Sequence, residues 1–237
     1  FSGIDAKLTR NSEMAIRANA RVAGRVTPWT IDFVRENSAS GKYRRIAVLV
    51  QDIALAEIAK PDAVPKPRRG LGIPLATRFE SQLSEDGTFL AASLVGQATE
   101  GLFHIGPTPI RFNDVAVWFE WVGDDPKIRI RRSHAINGET KLLFSGLLTP
   151  PATQEEDWLI DLRSEMVQLG ASDVPLPPFM LDRFTLEGRF ESKSRTLYFD
   201  KVSLSAGRAN AAASGSVQIR KDGPYVALAI EGEAVPV

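Results

Sequence analysis

The chain contains no cysteine among its 237 residues, which excludes disulfides and thiolate metal sites. Histidine is almost as scarce. His104 follows Phe103 near a Gly-Pro turn, and His134 lies on an alternating run of Ile128, Ile130, Arg132, His134 and Ile136. A metal site needs three or four converging ligands. No HExxH or paired-histidine spacing is present, so no metal and no cofactor are expected. An excess of one charge is also missing: Lys+Arg and Asp+Glu are 29 each, for a formal net charge of zero. Nucleic-acid binders usually carry a basic excess, so no nucleic acid is expected as a partner. No apolar run approaches the roughly 18 residues of a membrane-spanning helix. The opening Phe1-Ser2-Gly3-Ile4-Asp5 is neither a signal peptide nor an initiator methionine, and Ala234-Val235-Pro236-Val237 stops in mid-pattern. The chain therefore reads as a segment of a longer protein, with any membrane anchor outside it.

Local signatures of catalysis are absent as well. Ala213-Ser214-Gly215 lacks the first glycine of a serine-hydrolase elbow and precedes a strand instead of a helix. There is no phosphate loop and no dinucleotide fingerprint. The neighbouring acids Asp124-Asp125 and Glu155-Glu156-Asp157 sit in turn-like, polar stretches where carboxylates are ordinarily solvated. An enzyme is not expected.

What the sequence has is period-two alternation, the pattern of a sheet with one apolar and one wet face. Ile16, Ala18, Ala20 and Val22 alternate with Arg17, Asn19 and Arg21, and Trp29, Ile31 and Phe33 follow. Ile46, Val48 and Val50 form the next run, then Leu75, Phe79 and Leu83. Val115, Val117, Phe119 and Trp121 oppose Ala116, Trp118 and Glu120. Ile128 and Ile130 oppose Arg129 and Arg131, while Phe184, Leu186 and Phe190 oppose Arg183, Glu187 and Arg189. Val226, Leu228 and Ile230 close the series. Asp86-Gly87, Asn137-Gly138 and Asp222-Gly223 are hairpin-turn dipeptides, and Gly123-Asp124-Asp125-Pro126 predicts a longer turn. Two longer loops are expected, Lys60 to Gly70 and Leu148 to Asp157; neither resembles a flexible linker, so residues 1–237 are expected to form a single β-rich domain.

The segments 86–96 and 222–232 both read turn, aromatic, apolar alternation, glycine, a weak internal repeat. Glycines at 146, 188 and 215 inside strand-like runs suggest bends. One segment is ambiguous. Thr153 to Glu156 forms a capping-box pattern, and Leu159, Leu162, Met166 and Leu169 fall at helical spacing. Trp158, Ile160 and Leu162 also fit a strand, but by periodicity alone a helix is slightly favoured.

The order of elements resembles the AsmA-like superfamily, in particular its large YhdP-like envelope proteins, with the TamB-like proteins more distant. The residues that carry this are Val48 to Leu55, Pro74 to Gly87, Val174-Pro175-Leu176-Pro177-Pro178 leading into Leu181 to Gly188, Leu197 to Leu204, and Ala213 to Val217. The resemblance implies a mainly β, antiparallel, strongly curved sheet forming an open trough of the repeating β-groove type, with few or short helices. It makes residues 153–170 a strand. It implies a periplasmic protein tethered to the inner membrane, aiding phospholipid transport to the outer membrane, with phospholipid, the membrane and envelope proteins as partners. Under it, Val115, Val117, Phe119, Trp121, Ile128, Ile130, Phe184, Leu186, Phe190, Val226, Leu228 and Ile230 become the candidate lipid groove, and Arg129 and Arg131 the candidate head-group contacts. Alternation alone fits a filled β sandwich as well as an open groove. A β-sheet scaffold for envelope assembly and a carbohydrate-binding sandwich using Trp118 and Trp158 are the alternatives.

Overall fold

The computed structural model describes residues 4–12, 15–24, 26, 28–38, 41–54, 57, 70–105, 108–153, 155–170, 177–220 and 223–232. The expected antiparallel, mainly β fold is what the structure has. Its strands are β1 (Ile4–Ser12), β2 (Ala15–Val22), β3 (Trp29–Asn37), β4 (Tyr43–Ala54), β5 (Pro74–Ser84), β6 (Phe89–Ile105), β7 (Thr108–Val122) and β8 (Ile128–Asn137). They continue as β9 (Thr140–Thr149), β10 (Trp158–Leu169), β11 (Phe179–Leu181), β12 (Arg183–Glu191), β13 (Thr196–Ala206), β14 (Ala209–Arg220) and β15 (Gly223–Gly232). A 3-10 turn covers Gly70–Gly72. All 15 strands belong to one sheet whose order follows the chain, with short β11 pairing β10 off the main path.

The chain divides into two compact units. The first is Phe1–His104 with Asp114–Asp125, and the second is Ile105–Asn113 with Pro126–Val237. Within each unit, contacts between the described strands run along the hydrogen-bonded order, with β11 against β13 stepping one strand over. Neither unit has a second layer facing the first among the described residues. Burial agrees: the buried apolar residues are Val22, Trp29, Ala54, Ile73, Ala98, Ile130, Val167 and Leu181, and no described phenylalanine is among them. The facing layers of a sandwich bury such residues fully, so the filled-sandwich alternative does not describe either unit.

Turn chemistry is local. Asp86 accepts hydrogen bonds from the Ser84 hydroxyl and the Thr88 amide, and Gly87 takes φ 91° between β5 and β6. Gly138, at φ 57°, follows Asn137 in the β8–β9 hairpin. The expected Gly123–Pro126 turn is present: the Asp125 amide donates to the Val122 carbonyl at 3.0 Å. Lys60 to Arg69 and Asp222 lie outside the described residues.

Residues 158–169 form a strand, as the resemblance implies. The helical spacing misleads because it divides between two faces: Leu162 pairs with Gly146 and Leu186, while Leu159 and Met166 point the other way and are 54% and 49% exposed. A bulge between Arg163 and Met166 breaks the period-two phase. The capping-box residues still make a turn. The Glu156 carboxylate accepts the Ala152 amide at 3.1 Å, and the Glu156 amide donates to the Thr153 carbonyl.

Candidate functional site

In the first unit, register fixes the two faces. Directly paired residues of an antiparallel ladder share a face, and pairing runs Ala18–Phe33–Val48–Phe79–Leu94 across β2 to β6. Adjacent rows add Ala20, Ile31 and Val50 on one side and Ile16 and Ile46 on the other. The β5–β6 bulge returns Phe89 to the position opposite Leu83, and its ring lies 4.9 Å from that of Trp121. By alternation, Val115, Val117 and Phe119 share the side of Trp121. All four are half-buried, neither sealed nor fully open.

The reverse face of this unit carries a chain of ion pairs. Arg17 of β2 meets Glu36 of β3, Glu36 meets Arg45 of β4 at 3.3 Å, and Arg45 meets Glu80 of β5 at 3.0 Å. Glu80 also holds Arg78, and the Asn19 amide donates to Asp32 nearby. Burial pushes the Glu80 carboxyl up, but its bonds from Arg45 and Arg78 outweigh that and hold it below the ordinary carboxylate value. The Glu80 bond in turn raises Arg45.

The apolar face of the first unit has two unlike ends. At one end stand the buried Val22 and Trp29, directly paired. At the other stand arginines. Arg10 pairs with Ile16, Ile16 with Arg35, and Arg35 with Ile46; Arg44 pairs with Asn37 and Leu83. Arg10, Arg35 and Arg44 thus occupy apolar-phase positions at the same end. Arg44 donates to the Glu85 carbonyl at 3.1 Å. Among the described residues no carboxylate lies within ion-pair distance of the three.

In the second unit the apolar face is more uniform. Ile128 pairs with Leu148 and Ile130 with Gly146 on β8–β9. Register then carries this face through Ile160 and Leu162 of β10 to Phe184, Leu186 and Phe190 of β12. It continues to Leu204, Val202, Phe199 and Leu197 of β13, then to Ala211, Ala213 and Val217 of β14. Val226, Leu228 and Ile230 of β15 complete it. The eight sequence candidates of this unit therefore stand on one face. Outside the β-bulges, no charged residue occupies this phase among the described strand residues of β8 to β15. Its buried hydroxyls are satisfied by the backbone: Ser133 donates to the Arg131 carbonyl and Ser164 to the Met166 carbonyl, each at 2.9 Å.

Glycines bend this face. A Cβ on Gly146 would stand 2.0 Å from the Asp161 carbonyl oxygen, one on Gly188 would stand 2.3 Å from that of Tyr198, and one on Gly215 would stand 2.1 Å from that of Ala227. The neighbouring backbone occupies the apolar side where a side chain would begin, so the strands lean toward that face.

Arg129 and Arg131 lie on the opposite face from Ile128 and Ile130, since Arg129 pairs with Leu147. They are exposed, but a molecule lying along the apolar face would not meet them. The bulge between Ile130 and Ser133 likewise moves His134 and Ile136 off the face that the simple alternation assigned them. Arg10, Arg35 and Arg44 were overlooked in the sequence. The signal that finds them is an arginine in the apolar phase, as in Ile31, Phe33, Arg35. Among the described residues, no three or more His, Asp or Glu side chains come together as a metal site, and no helix is long and apolar enough to cross a membrane.

Comparison with protein-family models, with curated proteins and with solved structures found no match in any of the three.

Proposed function

We propose that this chain binds the acyl chains of phospholipids along its apolar face, as part of an AsmA-like protein held at the inner membrane that aids lipid transport through the periplasm. The observation that carries the proposal is the second unit's face: seven successive long strands present apolar side chains on one side, no described strand residue outside the β-bulges is charged there, and within the unit the described strands contact one another only along the sheet. Val226, Leu228 and Ile230 are more than half exposed, and the phenylalanines of β12 remain only partly covered. Exposed apolar surface of this continuity marks an interaction site.

The energetics suit a tail-binding surface. Each methylene removed from water contributes about 0.8 kcal/mol. A strand of eight residues is about 26 Å long, enough to line an extended acyl chain. With the head group left in water, no charge has to be desolvated. Affinity then depends on contact length more than on any single polar bond, which suits cargo that must move on.

Extraction of the purified chain into organic solvent, followed by mass spectrometry, tests this. Phospholipid is expected with the wild type, and Phe119→Asp and Leu186→Asp should each lower the recovered lipid about tenfold, equivalent to about 1.4 kcal/mol. A chain that keeps its β circular dichroism yet takes up no lipid, even when offered detergent-solubilised phospholipid, overturns the proposal.

A further inference from the structure

We infer that the apolar face of the first unit binds its ligand in one orientation, with an anionic phosphate head group at Arg10, Arg35 and Arg44 and the tail running toward Trp29. The inference rests on the acyl-binding proposal and adds the head-group class and the direction.

Three other arginines of this unit are matched by carboxylates. On the reverse face Arg17, Arg45 and Arg78 share Glu36 and Glu80 in a continuous chain of ion pairs. On the apolar face no carboxylate of the described residues lies within ion-pair distance of Arg10, Arg35 or Arg44, although Arg35 and Arg44 are half-buried. Partly desolvated guanidinium groups without counter-charges create a demand that an anion satisfies. Guanidinium matches phosphate oxygens through paired, charge-assisted hydrogen bonds.

Spacing allows the groups to act together. Arg35 and Arg44 are diagonal neighbours on adjacent strands, about 7–8 Å apart at the backbone. Arg10 lies in the same row as Arg35, with Ile16 between them. Side chains of this length converge on a single phosphate from such positions. Arg44 is steadied by the Glu85 carbonyl, which leaves its other guanidinium donors for a ligand.

The tail direction follows from the other end. From Arg35 to Trp29, β3 covers about 20 Å, longer than the hydrocarbon half of a bilayer, about 15 Å. Between them the face offers Phe33, Ile31, Val48 and Val50 and ends at the buried Trp29. An amphiphile laid the other way would put its charge against that buried end and its methyl terminus among arginines.

The test uses the full chain and three probes: phosphatidylglycerol, phosphatidylcholine and uncharged diacylglycerol, each presented in the same neutral detergent. Wild type should bind phosphatidylglycerol about tenfold more tightly than diacylglycerol, the scale expected for hydrogen bonds to a charged group. R35Q/R44Q should remove that preference while leaving diacylglycerol binding within about twofold. R35K/R44K should restore it in part, because charge returns without the paired geometry. Equal preference in wild type and R35Q/R44Q, with diacylglycerol still bound, overturns this inference and leaves acyl binding standing. Loss of diacylglycerol binding in the wild type overturns both. Competition by inorganic phosphate at equal concentration would show a free-anion site and overturn the amphiphile assignment.

Discussion

On the first unit the apolar face ends in Arg10, Arg35 and Arg44 at one side and in buried Val22 and Trp29 at the other; on the second, no described strand residue of that face is charged from β8 to β15 outside the β-bulges. On the reverse face the first has ion pairs linked across β2 to β5, and on the second Arg189 meets Asp157 at 2.9 Å, Asp200 at 3.5 Å and the face of the Tyr198 ring. The same period-two pattern therefore supports two surfaces: one with a distinguishable start and finish, and one that looks alike along its width. Under the proposed function, a tail on the second surface would meet equivalent positions strand after strand, which would favour displacement over fixation.

The glycines give the sharpest way to break this comparison. Gly146→Ala is expected to destabilise the chain by about 1–3 kcal/mol, the cost of forcing volume into a packed position, because the new Cβ meets the Asp161 backbone. Gly96, on the apolar face of the first unit, has open space around its missing Cβ and no positive φ. Gly96→Ala should leave stability unchanged or raise it by up to about 1 kcal/mol, since alanine restricts the unfolded chain. Urea midpoints measure both. Equal losses at the two positions would mean that the close strand approach does not distinguish the units.

A smaller effect is expected from the ion-pair chain. Glu80→Gln should cost less than about 1 kcal/mol, because the partners are largely solvent-accessible. Its pH signature is more informative than its size. The Glu80 carboxyl is held below its ordinary 4.5, so its contribution is complete above that value and fades as pH falls through the lower folded value. Stability measured against pH should therefore fall less steeply below about 4.5 in Glu80→Gln than in the wild type. Identical slopes would show that the ladder adds nothing.

The smallest effect sits at the β5–β6 turn. The Ser84 hydroxyl, with the Thr88 amide, holds exposed Asp86 at about 2 instead of 3.8. The turn should keep its full bonding above pH 3.8 and lose it as pH falls through about 2. A carboxyl-carbon NMR titration of Asp86 should show a midpoint near 2 in the wild type and a rise toward 3.8 in Ser84→Ala.

Much of the apolar face was legible in the sequence because alternation survives wherever a strand is regular. Phe184, Leu186 and Phe190 on β12 and Val226, Leu228 and Ile230 on β15 follow it without interruption. Bulges hid the rest. Past Ile130 and past Arg163 the phase slips by one residue, which misassigns His134 and Ile136 and makes β10 resemble a helix. Arg129 and Arg131 were correctly read as belonging to the wet side, and for that reason they stand across the sheet from the apolar face. The arginines on the apolar side escaped because single-strand alternation describes Arg35 as the polar end of a run. Only cross-strand register places it beside Arg10 and Arg44.

Because the strand order follows the chain, with only β11 set off the path, the contacts that complete the sheet are separated by little sequence. Low contact order speeds folding, and a chain emerging from the ribosome at about 5–20 residues per second can add each hairpin to an edge already formed. A lesion in one strand is then felt chiefly by its two neighbours, as in other linear arrays. Gain or loss of a hairpin during evolution would change the width of the apolar face while leaving distant strands intact.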